Sequence, residues 1–356
     1  MAVFEGRKTD RLLWQPRLHH WYGVNKARGT LPRRYVGRDI LEVYDDLKAS
    51  PRGYHFYDQT LKLLEGENVK LATKEDENSV HTKYMTPIGN LTQVEKKNIY
   101  ATGRMRIEYL LKGVEDFRVL SYIVRNQRFE FDEELFKEIE GLLDDRCEPL
   151  LNIPWGSIMR LLIVYMGFEK GTVAIYKHRA EVEELLRVFD ESDSDLFDLV
   201  AKMPFRIVNF LDNIDEGLIS PTLFTKYMMP YYRRRTKEIH QAGKFCTSHW
   251  DGKVKGLLAF AKDTGLDGLE CVPPSPQGNV SVQELRVGLK NMILCDGIPA
   301  THFLPTSSDL ELKRFVNTLV ESFSPRLIVG ISDMMPPDGE IERARMIGKV
   351  LEDYRI

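Results

Sequence analysis

From residue 205 onward the chain alternates short apolar runs with longer helical patterns, and this restricts the fold more than any other feature. "FRIVNFLDN" (205–213) precedes "SPTLFTKYMMPYYRRRTKEIHQAG", and "KFCTSHW" (244–250) precedes "GKVKGLLAFAKDTG". "LDGLECVPP", "NMILCDGIPA" and "RLIVGISDM" are each followed by a helical stretch of the same kind. Strands joined by helices lie parallel in a sheet covered by those helices. The pattern predicts strands over 205–213, 244–250, 267–272, 291–296 and 326–332, with "LLWQP" (12–16) as the first strand of the same sheet. Ser220 and Pro221 have the N-cap and first-turn chemistry of a helix start, and Gly243 closes that unit.

Polar residues gather at the C-terminal ends of these runs: Asn209 and Asp212, His249 and Asp251, Glu270, Asp296, then Ser332 with Asp333. In a parallel barrel that end is the mouth, where the βα loops build the site. A doubly wound open sheet would carry a Gly-rich phosphate turn, and neither GxGxxG nor GxxxxGK[ST] occurs. The expectation is an α/β fold, a (β/α)8 TIM barrel with an elaborated N-terminal region, as a single domain over 1–356. In the first half, "CEPLLNIPWG" (147–156) reads as a strand. "HTKYMTPIGNLTQVEKK" (81–97) reads as an antiparallel excursion turning at "PIGN".

With 50 basic and 53 acidic residues the net charge is −3, and no basic tract suits a phosphate backbone. "YYRRRTKEIH" reads as the solvated face of a helix. No apolar run spans a bilayer, and the N-terminus lacks a signal-peptide core. The four cysteines, Cys147, Cys246, Cys271 and Cys295, have no CxxC spacing and read as reduced thiols. These features predict a cytoplasmic protein with no nucleic-acid or membrane partner.

A carboxylate or imidazole at a strand end needs water, a metal or a partner group. His249 and Asp251 supply two zinc ligands at most. Strand alternation predicts that Cys271 and Glu270 cannot both face the barrel interior. Cys246 and Cys295 read as small apolar filler, and the adjacent His19 and His20 as candidates for the mouth.

The stretch "NFLDNIDEGLISPTLFTKYMMPYYRRRTKEIHQAGK" resembles the uroporphyrinogen decarboxylase superfamily, in which an aspartate-ended strand precedes a helix of similar pattern. The family's histidine strand, acidic-ended strand and closing Gly-rich strand ("VGISDMMPPDG") follow in register. The resemblance covers about residues 145–356 and implies a single (β/α)8 barrel. Two patterns of the superfamily are missing. The decarboxylases carry arginines in "MRQAGR" that grip substrate acetates, whereas "LLWQPRLHHWYG" offers only Arg17. The coenzyme M methyltransferases hold zinc with His-x-Cys and a second Cys on the closing strand. Here those cysteine positions are Asp251 and Ile331 or Ser332.

What remains is similar to the ether-cleaving methyltransferases of anaerobic O-demethylase systems. That resemblance implies a small aromatic methyl ether as donor and, as acceptor, the cobalamin of a separate corrinoid protein. It admits zinc and a homodimer without requiring either. The phenolate leaving group needs a proton or a Lewis acid. His249, Asp251, Glu270 and Asp333 are the expected catalytic residues, acting by general acid ahead of a metal at His249 and Asp251. Trp14, His19, His20, Asn209, Asp212, Trp250 and Asp296 are the expected substrate-binding residues, with Trp155 and Tyr165 also able to wall an aromatic pocket. The competing readings are a decarboxylase acting on a less acidic substrate and a non-catalytic barrel that binds a corrinoid or tetrapyrrole.

Overall fold

The computed structural model describes residues 1–7, 9–98 and 103–354. Its central sheet has seven strands: β1 (Leu13–Trp14), β2 (Leu150–Ile153), β3 (Ile207–Phe210), β4 (Phe245–His249), β5 (Gly268–Glu270), β6 (Ile293–Pro299) and β7 (Leu327–Ser332). All the pairings in it are parallel, in the order β1-β7-β6-β5-β4-β3-β2. Every strand expected from the sequence forms, most of them shorter than expected, while β6 runs on to Pro299.

Two cores follow from strand alternation. Val208, Phe210, Leu294 and Val329 face outward into the large cluster shared with the helices. Ile207, Ile293, Cys295 and Ile328 face inward and meet one another and Phe4, which the sheet must curl to allow. The N-terminal segment thus packs on the end of the barrel away from the mouth.

The expected closed eight-stranded barrel is corrected to a seven-stranded, TIM-barrel-like sheet, because no strand bridges β1 and β2 among the described residues. Residues 50–58 span that gap by other means. Ser50 N–H donates to Trp14 O at 2.9 Å, and Gln15 Nε2 donates to Pro51 O at 3.0 Å. On the far side Asp58 Oδ1 accepts the Asn152 N–H at 2.9 Å, where a strand carbonyl would otherwise stand. Pro51 has no N–H for a ladder. Gly53 packs so tightly on β2 that a Cβ would come within 2.7 Å of Glu148 O. The segment therefore forms a strap, and it points Arg52 and Tyr54 into the barrel.

Between β1 and β2 lie four antiparallel strands, Lys70–Glu75, Ser79–Thr86, Gly89–Lys97 and Arg104–Glu108, with the expected turn between Thr86 and Gly89. A separate pair joins Leu61–Leu64 to Arg128–Phe131. Ser220 Oγ accepts the Leu223 N–H as the predicted N-cap. No helix among the described residues is long and apolar enough to cross a membrane.

Asp58 gives a stability test of the strap. Burial raises its carboxyl to about 7, partly offset by the two hydrogen bonds from Asn152. The folded state keeps that proton between the ordinary value near 4 and about 7, while the unfolded chain releases it. This group's contribution therefore falls as pH rises through that window and is constant above it. Relative to Asp58→Asn, wild-type protein is expected to lose stability from pH 5 to pH 7.5 in urea melts. A difference that does not change with pH contradicts the assignment.

Candidate active site

Alternation along β4 turns Thr247 and His249 into the barrel and sends Cys246, Ser248 and Trp250 toward the helices. Ser248 Oγ accordingly lies 2.8 Å from the Tyr232 hydroxyl, on the helix that leads into the strand. His249 Nδ1 lies 2.8 Å from Glu270 Oε2 on the neighbouring strand.

Glu270 is 1% exposed and saturated with donors. Arg52 Nη1 and the Tyr54 hydroxyl donate to Oε1, each at 3.0 Å, and Asn209 Nδ2 donates to Oε2 at 3.1 Å. Burial alone would raise this carboxyl. Arg17, the His249 hydrogen bond and Arg52 instead hold it well below its ordinary value. An ionised, fully bonded carboxylate has no proton to give, so the general-acid expectation for Glu270 is corrected. Glu270 is a positioning residue that keeps the proton of His249 on Nδ1 and leaves Nε2 free at the mouth.

Asp333 approaches that nitrogen, with Oδ1 4.0 Å from His249 Nε2. It is held by Arg17, whose Nη1 is 2.7 Å from the same oxygen, as an ion pair without hydrogen-bond alignment. Asp251, half-buried at the rim, has its carboxyl raised by burial and further by Asp333.

Cys271 is where alternation misleads. Its φ is +74°, so the residue after Glu270 turns back toward the mouth instead of away from it. Its Sγ donates to Asp333 Oδ1 at 3.5 Å. One donor atom each from His249, Cys271 and Asp333 lie within 4.8 Å of one another. The expectation that Glu270 and Cys271 exclude each other is corrected. Imidazole nitrogen, thiolate sulfur and carboxylate oxygen are all zinc donors, and a carboxylate on the far nitrogen of a ligating histidine is the usual outer partner. These residues fit a divalent metal. In the expected metal pair, His249 keeps its place, while Asp251 stands outside this three-atom cluster.

Asp296 follows the same geometry, with φ +80°, and pairs with Arg52. It is fully buried, and burial, offset by Arg52, raises its carboxyl to about 7. The substrate-binding expectation for Asp296 is corrected, because it lies beneath Arg52 and out of reach of a ligand. Asn209 is likewise internal, linking Glu270 to the Asn152 carbonyl oxygen at 2.9 Å. Asp212 is fully buried and accepts the Gly156 N–H at 2.9 Å, so it fixes the loop after β2 and does not bind substrate.

Trp250 is fully buried, edge-on to Phe224 at 5.3 Å, and Trp14 is buried beside Gly348 of the last helix. Both tryptophans belong to the outer core, and their substrate role is corrected. Tyr165 packs on Phe189 at 5.4 Å, whereas Trp155 bonds Asn213 in the loops at the mouth end. His19 stacks on His55 with ring centroids 3.9 Å apart. Burial and Arg17 lower its imidazole to about 4. His20 is half-buried and shares none of these contacts among the described residues.

Arg52, Tyr54 and His55 went unseen in the sequence, and Cys271 was set aside there by strand alternation. The first three sit in "SPRGYHFYD", which has neither strand alternation nor a motif to mark it. A cavity of about 430 Å³ also enters the barrel, but from the opposite end, past Phe4, Leu13, Leu150 and Ile328. In such barrels that face serves stability.

Residues 154–350 match the family described as uroporphyrinogen decarboxylase (URO-D). No curated protein matches the sequence. Among solved structures, a methyltransferase from Methanosarcina mazei aligns with a TM-score of 0.61 and 11% identity, over 99% of this chain and 96% of its own. A B12-independent methionine synthase from Shewanella sp. W3-18-1 gives a TM-score of 0.39 and 8% identity, over 88% and 85%. At 11% identity the likeness to the Methanosarcina mazei methyltransferase concerns the fold alone. The family match covers more than half of the chain and contains the histidine, acidic-ended and closing strands that build the mouth. The chain belongs to the uroporphyrinogen decarboxylase family.

Proposed function

We propose that this chain is a methyltransferase that cleaves a phenyl methyl ether and passes the methyl group to the cob(I)alamin of a separate corrinoid protein. The observation that carries the reading is the His249–Glu270 pair, which leaves an imidazole Nε2 at the mouth beside Asp333 and the half-buried Asp251. A decarboxylase acting on an acid-rich substrate needs free guanidinium groups. Arg52 is already paired with Glu270 and Asp296, and Arg17 with Asp333. The charge at the mouth is thus largely spent within the protein, which favours a neutral substrate.

In this reaction the methyl acceptor brings the nucleophile, and the chain's task is the leaving group. As the methyl–oxygen bond breaks, its electron pair stays on the aryl oxygen. Asp251, the half-buried carboxyl raised by burial and by Asp333, donates the proton that converts phenolate to phenol. His249, locked by Glu270, presents a bare Nε2 lone pair at the mouth, which suits a cation facing the ether oxygen and not the oxygen itself. A divalent ion at the same nitrogen would supply Lewis-acid polarisation of that oxygen. The stacked His19 and His55 rings offer a flat neutral surface for the arene.

The test is to mix the protein with a reduced corrinoid protein and a methoxyarene and follow the cob(I)alamin-to-methylcobalamin spectral change. Wild-type protein should turn over. Asp251→Asn should lower kcat about a hundredfold, the usual size of a general-acid contribution, with little change in KM. Binding without turnover would support the carrier reading, and carbon dioxide release from an aryl acid would support decarboxylation.

A further inference from the structure

We propose that Cys271 is a metal ligand, and that His249 Nε2, Cys271 Sγ and an Asp333 carboxylate oxygen form a mixed nitrogen–sulfur–oxygen site for zinc or a similar borderline divalent ion. The inference reaches past the functional reading above and does not depend on it, because no substrate enters its test. It also departs from the sequence pattern, in which the missing His-x-Cys and closing-strand cysteines argued against a thiolate site.

Three independent observations converge. The three donor atoms lie within 4.8 Å of one another, with Sγ and Nε2 at 3.5 and 4.0 Å from Asp333 Oδ1. A tetrahedral ion bound at about 2.0–2.3 Å to each donor needs donor separations near those values, so modest side-chain movement closes the site. Next, the outer partners are in place. Glu270 fixes the tautomer of His249 from Nδ1, and Arg17 steadies Asp333. Such partners typically contribute ten- to a hundredfold in affinity.

The third observation is the backbone. Cys271 carries a side chain at φ +74°, a conformation costing roughly 1–2 kcal/mol for a non-glycine residue. A glycine would relieve that cost, yet it would remove the thiol from this cluster. The twist is what brings the thiol to the mouth beside the inward-facing Glu270. On binding, the thiol proton passes to solvent as the sulfur–metal bond forms, so charge and atoms balance without an oxidant. With three protein donors, a tetrahedral ion held here would keep one position for water or substrate, as catalytic zinc sites do.

A second cluster, His240, Cys246 and Asp267, has the same donor types at the opposite end of β4. There Asp267 Oδ2 already accepts the Cys246 N–H at 2.7 Å and approaches His240 Nε2 at 3.0 Å, so hydrogen bonding alone explains it.

The experiment measures metal content and the absorption of the cobalt(II)-substituted full chain. Wild-type protein should bind about one ion per chain and show a near-ultraviolet sulfur-to-cobalt charge-transfer band. Cys271→Ser, close in size to the native residue, should lose the band and bind at least about a hundredfold more weakly, while keeping its far-ultraviolet circular dichroism. Cys246→Ser and Asp251→Asn should keep both the ion and the band. The proposal is overturned if wild-type protein binds no ion at the mouth. It is equally overturned if Cys271→Ser retains the band, or if Asp251→Asn loses the ion while Cys271→Ser keeps it.

Discussion

Arg52→Met is expected to destabilise the protein by about 3–5 kcal/mol, the cost typical of removing one partner from a buried ionic group. Arg52 is 2% exposed and holds Glu270 through Nη1 and Asp296 through Nη2. Methionine fills much of the volume but leaves two buried carboxylates facing each other. The protein can soften this by protonating Asp296, whose carboxyl burial already raises to about 7. The loss should therefore be larger at pH 8, where keeping that proton is costly, than at pH 6. Urea melts at the two pH values measure it. A loss below about 1 kcal/mol at pH 8 would mean that Arg52 is not the keystone described here.

His249→Ala is expected to lower kcat/KM for methyl transfer by about 10³–10⁴-fold, at the upper end of what one acid–base or electrophilic group contributes. The fold should survive better than in Arg52→Met, because Glu270 keeps Arg52, Tyr54 and Asn209 as donors. Metal content should fall together with activity. If activity fell while bound metal stayed stoichiometric, the imidazole would be acting on the substrate alone. Activity within tenfold of wild type would put the chemistry elsewhere in the barrel.

The barrel half of the fold was legible because each βα unit announces itself twice, by an apolar run and by a polar residue at its end. His249, Glu270 and Asp333 could be placed at one mouth for that reason. Trp250 could have been excluded by the same rule, since alternation with His249 sends it outward. The rule then fails at Cys271 and Asp296, where positive φ after an inward residue brings the next side chain inward as well. No composition or spacing marks those two positions. The strap at residues 50–58 was unreadable for a related reason. It replaces a strand with a proline, a glycine held against β2 and a side-chain carboxylate, so the period that marks a strand is missing. Arg52 and Tyr54, which both donate to Glu270, were lost with it. Arg17 was visible only as a remnant of an absent arginine motif, whereas its observed partner is Asp333 on the closing strand.

The most direct measurement of the central claim follows the carbon itself. A methoxyarene labelled with carbon-13 at its methyl group is incubated with the protein and a reduced corrinoid protein, and the products are examined by nuclear magnetic resonance. The account predicts that the label moves intact to methylcobalamin, with one free phenol formed per methyl transferred. Label retained in the ether while an aryl carboxylate is lost as carbon dioxide would contradict it, as would a phenol formed without methylcobalamin.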